Sequence, residues 1–522
     1  MTTRVERSLA GNAGSRLIVL ILALTLALPA ALVSAQTPSS SPIVARNDPS
    51  LATIKPDLRG IVAAKTRDLT SYTIDATLRL DGSPGLDGTA RVSFINTTGN
   101  ELDTIPFRLY ANGANEDVDA MIVDDVTVDG ERVEPELTVS NSVLSVPLAT
   151  PLAPDASITI ELGFSATVPI DTSDHYGIFG IDSATGTWAL AHWYPIVAGW
   201  DPANGWELDP TSINGDPIFS NTALYDVTLT APASWQVVTT GSAIEETVDG
   251  AARTQRFLSG PVRDFTIVAD SDFQSVSTEV DGTRVTSWYN PGTDRVGTAV
   301  LEYAARALAL YNELIGPYPY TTFDIVPVEL YGAAGVEFPQ LVYIGQSYYS
   351  DQQNLSVPNY LDFTVSHEVL HQWFYGLIGN NQYIHAFTDE GLTNFVSSKI
   401  YFTEVYGAQA GNQMFGSAVV TPFAATVRNG GDQIVDTPTD DFETGRAYSF
   451  AAYNKAPMGF NAIYETIGHD AFFAGLRSYY ETFLFGIAQP DDLRSAFEQA
   501  SGQDLGDLWR HWFEERAAEN DV

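Results

Sequence analysis

The chain has 522 residues, 44% of them hydrophobic, enough for two or three domains with sizeable cores. Its formal net charge of −39 argues against nucleic acid or an anionic membrane as a partner. There is no cysteine, so disulfides and thiolate metal sites are excluded, and any metal must be held by histidine and carboxylate.

The N-terminus has the order of a secretory signal peptide. Arg4, Arg7 and Arg16 form a basic region, Leu17 to Leu32 an apolar one, and Val33-Ser34-Ala35 a small-residue cleavage site. Residues 1–35 are therefore expected to direct the protein out of the cytoplasm and be removed, leaving no stable membrane insertion. An uncleaved anchor is the alternative, for which the apolar run is short. Residues 36–60 form a linker, rich in Ser and Pro from Gln36 to Pro42.

Residues 61–275 are expected to form an antiparallel β domain, saddle-shaped or sandwich-like. Tyr72-Ile74-Ala76-Leu78-Leu80, Ile158-Ile160-Leu162-Phe164-Ala166-Val168 and Tyr225-Val227-Leu229 all alternate with polar residues, and turn-forming clusters separate them. The pattern changes after Asn290-Pro291-Gly292. Val300 to Ile315 has helical periodicity, and Phe323–Leu330 and Leu341–Ile344 read as strands, with Pro327 and Pro339 suggesting edges or bulges. From Lys399 onward the pattern is mostly helical, with candidates at Ala471–Phe483, Pro490–Ala500 and Leu505–Arg516. Asp491-Asp492 suits a helix N-terminus. Asn429 to Gly445 is a long loop, mobile or functional. The fold class is α+β, with the β domain followed by an α/β catalytic domain with a helical lobe over residues 276–517.

Chemistry concentrates at His367-Glu368-Val369-Leu370-His371, with eighteen residues between His371 and Glu390. Positions i and i+4 of a helix share a face, so two imidazoles at that spacing can grip one ion. Phe363, Leu370 and Phe374 support a buried helix, and Gly376 and Gly379-Asn380 supply a stop. Two His and a Glu with an open fourth position are the pattern of catalytic zinc, one ion per chain. Glu368 is close enough to act as general base on a metal-bound water.

These residues resemble the aminopeptidase N-like gluzincins, peptidase family M1. Ala334-Gly335-Val336-Glu337-Phe338 is similar to the family's Gly-Ala-Met-Glu-Asn motif, with Glu337 in the position that binds the substrate's α-amine and Phe338 replacing Asn. Tyr453-Asn454-Lys455 resembles the Tyr-x-Lys-Gly element, which makes Tyr453 the catalytic tyrosine; Tyr448, nearby, is the alternative. The likeness runs from about residue 60 to 516. It implies a compact two-domain member with a thermolysin-like catalytic domain and without the family's large helical C-terminal domain. The implied activity is that of a secreted zinc aminopeptidase acting on peptides. An endopeptidase or other hydrolase on the same site, and a non-catalytic binding protein retaining the fold, are the alternatives. Asp389 and Asn394 are candidates to orient a histidine, His385 reads as structural, and His175 and His192 as packed or surface residues that border the cleft at most.

Overall fold

The structure, a computed structural model, describes residues 49–112, 120–215 and 218–522, which belong to one compact unit. The expected signal peptide and the linker up to residue 48 lie outside the described residues. Among the described residues no helix is long and apolar enough to cross a membrane.

An N-terminal β domain is followed by a region with a five-stranded sheet and most of the helices. The alternating segments become strands of an eight-stranded sheet: Thr70–Arg79 lies between Gly85–Ile95 and Ala223–Pro232. Tyr72, Ile74, Ala76 and Leu78 are buried, whereas Leu80 falls past the strand end and is exposed. The sheet is not wholly antiparallel. Thr70–Arg79 pairs parallel with Ala223–Pro232, Thr70 opposite Ala223. Between them the chain leaves this sheet to build strands of two four-stranded sheets, and a parallel partner requires such a long crossover.

A five-stranded sheet begins at Gln274–Val280 and continues through Thr283–Tyr289, Thr322–Val328, Leu341–Gly345 and the edge strand Gly335–Phe338. Thr322–Val328 is therefore internal, not the edge that Pro327 suggested. Its pairing with Thr283–Tyr289 stops at Ser287 opposite Ile325, so the missing N–H of Pro327 falls beyond that ladder. Pro339 occupies the hairpin turn before Leu341, beside Gln340 at φ 65°.

The helix expected at Val300–Ile315 spans Asp294–Leu314. Its Tyr311 hydroxyl donates to Ser366 O at 3.1 Å and its ring meets Trp373 edge-on, which seats the metal-motif helix. That helix, Tyr360–Leu370, ends at His371 itself, earlier than the glycines suggested. The next turns form wider loops, Gly376 N–H reaching back to His371 O at 2.9 Å. Helices Pro490–Ser501 and His469–Phe483 agree closely with expectation, and the Asp492 carboxylate caps the first of these by accepting from Gln489 N at 2.8 Å. The third candidate is a short α turn, Gly506–Trp509, widening into a π turn, Arg510–Glu514. The long loop is built into the fold: Val435 N–H and Asp436 N–H donate to Phe513 O.

Two buried cations tie the regions together. Arg263, from the β domain, donates to Ser220 O, Tyr375 O and Gly486 O. Lys455 pairs with Asp432 at 2.7 Å and donates to Gln433 O and Glu515 O, using all three of its N–H donors. Replacing Lys455 by Met strands the Asp432 charge and is expected to cost about 3–5 kcal/mol in urea denaturation. Arg263→Met removes the donor from the carbonyls of Ser220 and Tyr375, while Gly486 O keeps the Gly379 N–H, and is expected to cost about 2 kcal/mol or more by the same measurement.

Candidate metal centre and substrate cleft

The metal-motif helix starts at Asn359, whose side chain accepts from Asp362 N at 2.9 Å. One turn separates the two histidines, and their Nε2 atoms come to 3.0 Å. Glu390 opens the short helix Glu390–Phe395, where the Asp389 carboxylate accepts from Glu390 N at 2.8 Å. Glu390 Oε2 lies 3.2 Å from His367 Nε2 and 3.4 Å from His371 Nε2. Tetrahedral zinc with ligands at about 2.0–2.1 Å separates its donor atoms by about 3.3 Å. The three donors thus already stand at the spacing zinc requires.

The second nitrogen of His371 fixes its tautomer. Nδ1 sits 3.0 Å from Phe374 O and can only donate there, which leaves the Nε2 lone pair facing the focus. Gln372 does the complementary work on the other wall. Its amide donates to Phe338 O at 2.9 Å and accepts from Gln340 N at 2.8 Å, which clamps the Glu337 hairpin to the end of the motif helix.

Glu337 is 5% exposed, with Oε1 3.9 Å from His371 Nδ1 and 3.4 Å from the Gln382 amide. Glu368 is also buried, and a Cβ at Gly335 would come within 2.5 Å of its Oε1, so the glycine makes room for that carboxylate. Tyr453 donates its hydroxyl to Glu390 Oε1. The Tyr448 ring meets Tyr453 edge-on at 6.0 Å, and its hydroxyl lies against Gly215 of the β domain.

Charge dominates this site. Glu337, Glu368, Asp389 and Glu390 are all buried around two imidazoles. Burial pushes Glu337 up to about 8; His371 opposes the shift, and the neighbouring Glu390, Glu368 and Asp389 reinforce it. Burial, then Glu390, raises Asp389 to about 7. Burial disfavours charge on His371, but Glu337, Glu390 and Glu368 outweigh it and raise its pKa. The cleft of about 540 Å³ has no lysine or arginine among its lining residues. Three converging donors with an uncompensated excess of carboxylate fit a dication.

All six sequence-predicted site residues line this cleft or meet its three-donor focus. Asp389 and Asn394 are close by, but the histidine orienter is the Phe374 carbonyl; Asp389 caps a helix and accepts from Gln382, and Asn394 Nδ2 donates to Tyr453 O at 2.7 Å. Phe338 is not among the cleft's lining residues; its ring lies tilted against Tyr343 and edge-on to His192. His192 is buried 3.5 Å from Asp264, and His385 pairs with Asp436. Sequence reasoning missed Gln372 and Gln382, and also Tyr176, Ile213 and Asn214, which reach the cleft from the β domain. Isolated residues in loops and single helical turns carry no periodic signal. Tyr176, at φ 59°, depends on a left-handed turn that composition does not reveal.

Residues 299–512 match the model of the peptidase family M1 domain. Aminopeptidase M1-A of Oryza sativa subsp. japonica is 26% identical over 304 residues, covering 56% of this chain and 34% of that protein. Aminopeptidase M1 of Arabidopsis thaliana is 22% identical over 312 residues, with shares of 56% and 34%. The chain thus spans about a third of the length of these curated relatives. Among solved structures, the M1 zinc metallopeptidase of Deinococcus radiodurans superimposes with TM-score 0.62 at 19% identity, covering 86% of this chain and 94% of that one. A two-domain M1 zinc metallopeptidase mutant bound to L-arginine gives 0.64 at the same identity and coverage. The chain thus shares the fold of these M1 zinc metallopeptidases. Over residues 299–512 the chain is similar to the M1 peptidase domain, and to M1 aminopeptidases over about half of its length.

Zinc added to the chelated chain is expected to raise its melting temperature in calorimetry, since binding at a thousandfold over Kd contributes about 4 kcal/mol. Glu390→Ala is expected to remove most of that response.

Proposed function

We propose that this chain is an exported aminopeptidase, with one zinc per molecule, that hydrolyses the first peptide bond of peptides with a free N-terminus. The observation that carries the exopeptidase reading is Glu337, a buried carboxylate 3.9 Å from a metal-donor histidine in a cleft with no lysine or arginine among its lining residues. No lysine or arginine there competes for that carboxylate, so a substrate ammonium is a fitting partner.

Zinc held by His367, His371 and Glu390 would supply a Lewis acid that activates water and polarises the scissile carbonyl. Glu337 accepts the substrate's ammonium N–H groups and thereby sets which peptide bond enters the reacting position. Gln382, bonded to both Glu337 and Asp389, holds that carboxylate in place. Glu368 takes the proton from the attacking water and passes it to the departing nitrogen, leaving the carboxylate as it began. The Tyr453 hydroxyl, resting on Glu390, donates to the carbonyl oxygen as negative charge develops there. Tyr176, Asn214 and Gly215 wall the cleft from the β-domain side and limit water. Export rests on the basic, apolar and small-residue order of residues 1–35. It predicts a mature protein beginning after Ala35, as read by N-terminal sequencing of the exported chain.

Glu368→Gln is expected to lower kcat by about 10²–10⁴. Unchanged turnover would sink the enzyme reading. Acetylating the substrate's N-terminus, or replacing Glu337 by Gln, is expected to cut kcat/KM by about 10² or more, since the charge-assisted contact is lost. Equal cleavage of free and acetylated peptides would instead identify an endopeptidase.

A further inference from the structure

Tyr453 is held at both ends by a single helical face. Glu390 and Asn394 are one turn apart in Glu390–Phe395 and share a face. Glu390 Oε1 accepts the Tyr453 hydroxyl, and Asn394 Nδ2 donates to the Tyr453 main-chain carbonyl at 2.7 Å. The partner is a carbonyl, so only the NH2 side of the Asn394 amide can face it. Asn394 is 4% exposed and lines the cleft beside Glu390.

The segment that carries Tyr453 is built to receive this bond. It is a π turn, Ala451–Lys455, inserted between helices Gly445–Phe450 and Ala456–Ile467. Pro457 has no N–H to return to the Tyr453 carbonyl four residues earlier, and the side chain of Asn454, at 3.0 Å, joins Asn394 on that oxygen. Gly391 permits the approach: a Cβ there would lie 2.5 Å from Ala456 Cβ and 3.4 Å from Ala452 O. A proline, a glycine and an asparagine therefore combine to pin the backbone pivot of Tyr453 to the helix that supplies the third metal donor.

We propose that Asn394 is a positioning residue for Tyr453, fixing the pivot from which its hydroxyl moves between Glu390 and the substrate's carbonyl oxygen. This rests on the catalytic role proposed for the Tyr453 hydroxyl. Asn394 touches no reacting atom; it acts through where Tyr453 stands.

The test is a double-substitution cycle with Asn394→Leu, which keeps the shape and removes the donor, and Tyr453→Phe, on a tripeptide with a free N-terminus. Asn394→Ala is the second variant if the leucine impairs folding. Asn394→Leu is expected to lower kcat about tenfold with KM within about twofold, and to cost less than about twofold in the Tyr453→Phe background. Losses that multiply in the double variant would overturn the proposal, because an independent structural role adds to the loss of the hydroxyl. A second readout needs no turnover. In a chain with ring-labelled tyrosine, the NMR signal assigned to Tyr453 by its Phe variant should move in Asn394→Leu while the other tyrosine signals hold. An unmoved Tyr453 signal overturns the proposal. If Tyr453→Phe keeps full activity, the proposed role of the hydroxyl fails, and the NMR signal still decides whether Asn394 positions the ring.

Discussion

The rest of this structure depends on an excess of negative charge gathered where water is scarce. Glu337, Glu368, Asp389 and Glu390 meet around His367 and His371, all buried, with no lysine or arginine lining the cleft. Desolvated anions cost several kcal/mol each unless something offsets them. The donor spacing of 3.0–3.4 Å indicates what does: a small dication at the focus of the two imidazoles and Glu390.

Holding such a cluster takes a stiff frame, and the frame is made largely from main-chain carbonyls. Phe374 O orients His371, Phe338 O accepts from Gln372, whose side-chain oxygen accepts from Gln340 N, and Tyr453 O accepts from Asn394. Arg263 gathers Ser220, Tyr375 and Gly486 at the end of the metal-motif segment, and Gly379 is a glycine because a Cβ there would lie 2.3 Å from the Arg263 Cζ. Lys455 ties the π turn of Tyr453 to the long loop and the C-terminal segment. The carbonyls of Phe374, Phe338 and Tyr453 lie at local breaks in regular structure: a helix that stops at His371, a hairpin turn, a proline.

Legibility from sequence followed the range of the signal. Strands such as Thr70–Arg79, and helices such as His469–Phe483, are legible from periodicity, a local property. The metal donors are legible because two lie at i and i+4 and the third at a characteristic gap. Glu337 and Tyr453 are legible only through resemblance. Asn394 reads from sequence as a neighbour of Glu390 with a histidine to orient, whereas it meets a tyrosine 59 residues away. Gln372 adjoins the motif yet carries no signal, since its partners are main-chain atoms of a hairpin more than thirty residues upstream.

The sequence by itself determined the chemistry available: two imidazoles on one helical face, a carboxylate beside the first, a third donor, and no thiol to compete. It determined the alternation of the β domain and the helical character of the C-terminal region. The tertiary structure alone decided the parallel seam between Thr70–Arg79 and Ala223–Pro232, the internal place of the strand bearing Pro327, and the meeting of Glu337, Tyr453 and the β-domain residue Tyr176 around one cleft. The physical reason is that periodicity specifies which face of an element is apolar. Which distant elements meet on that face is set by the joint packing of the whole core and the pairing of its buried polar groups.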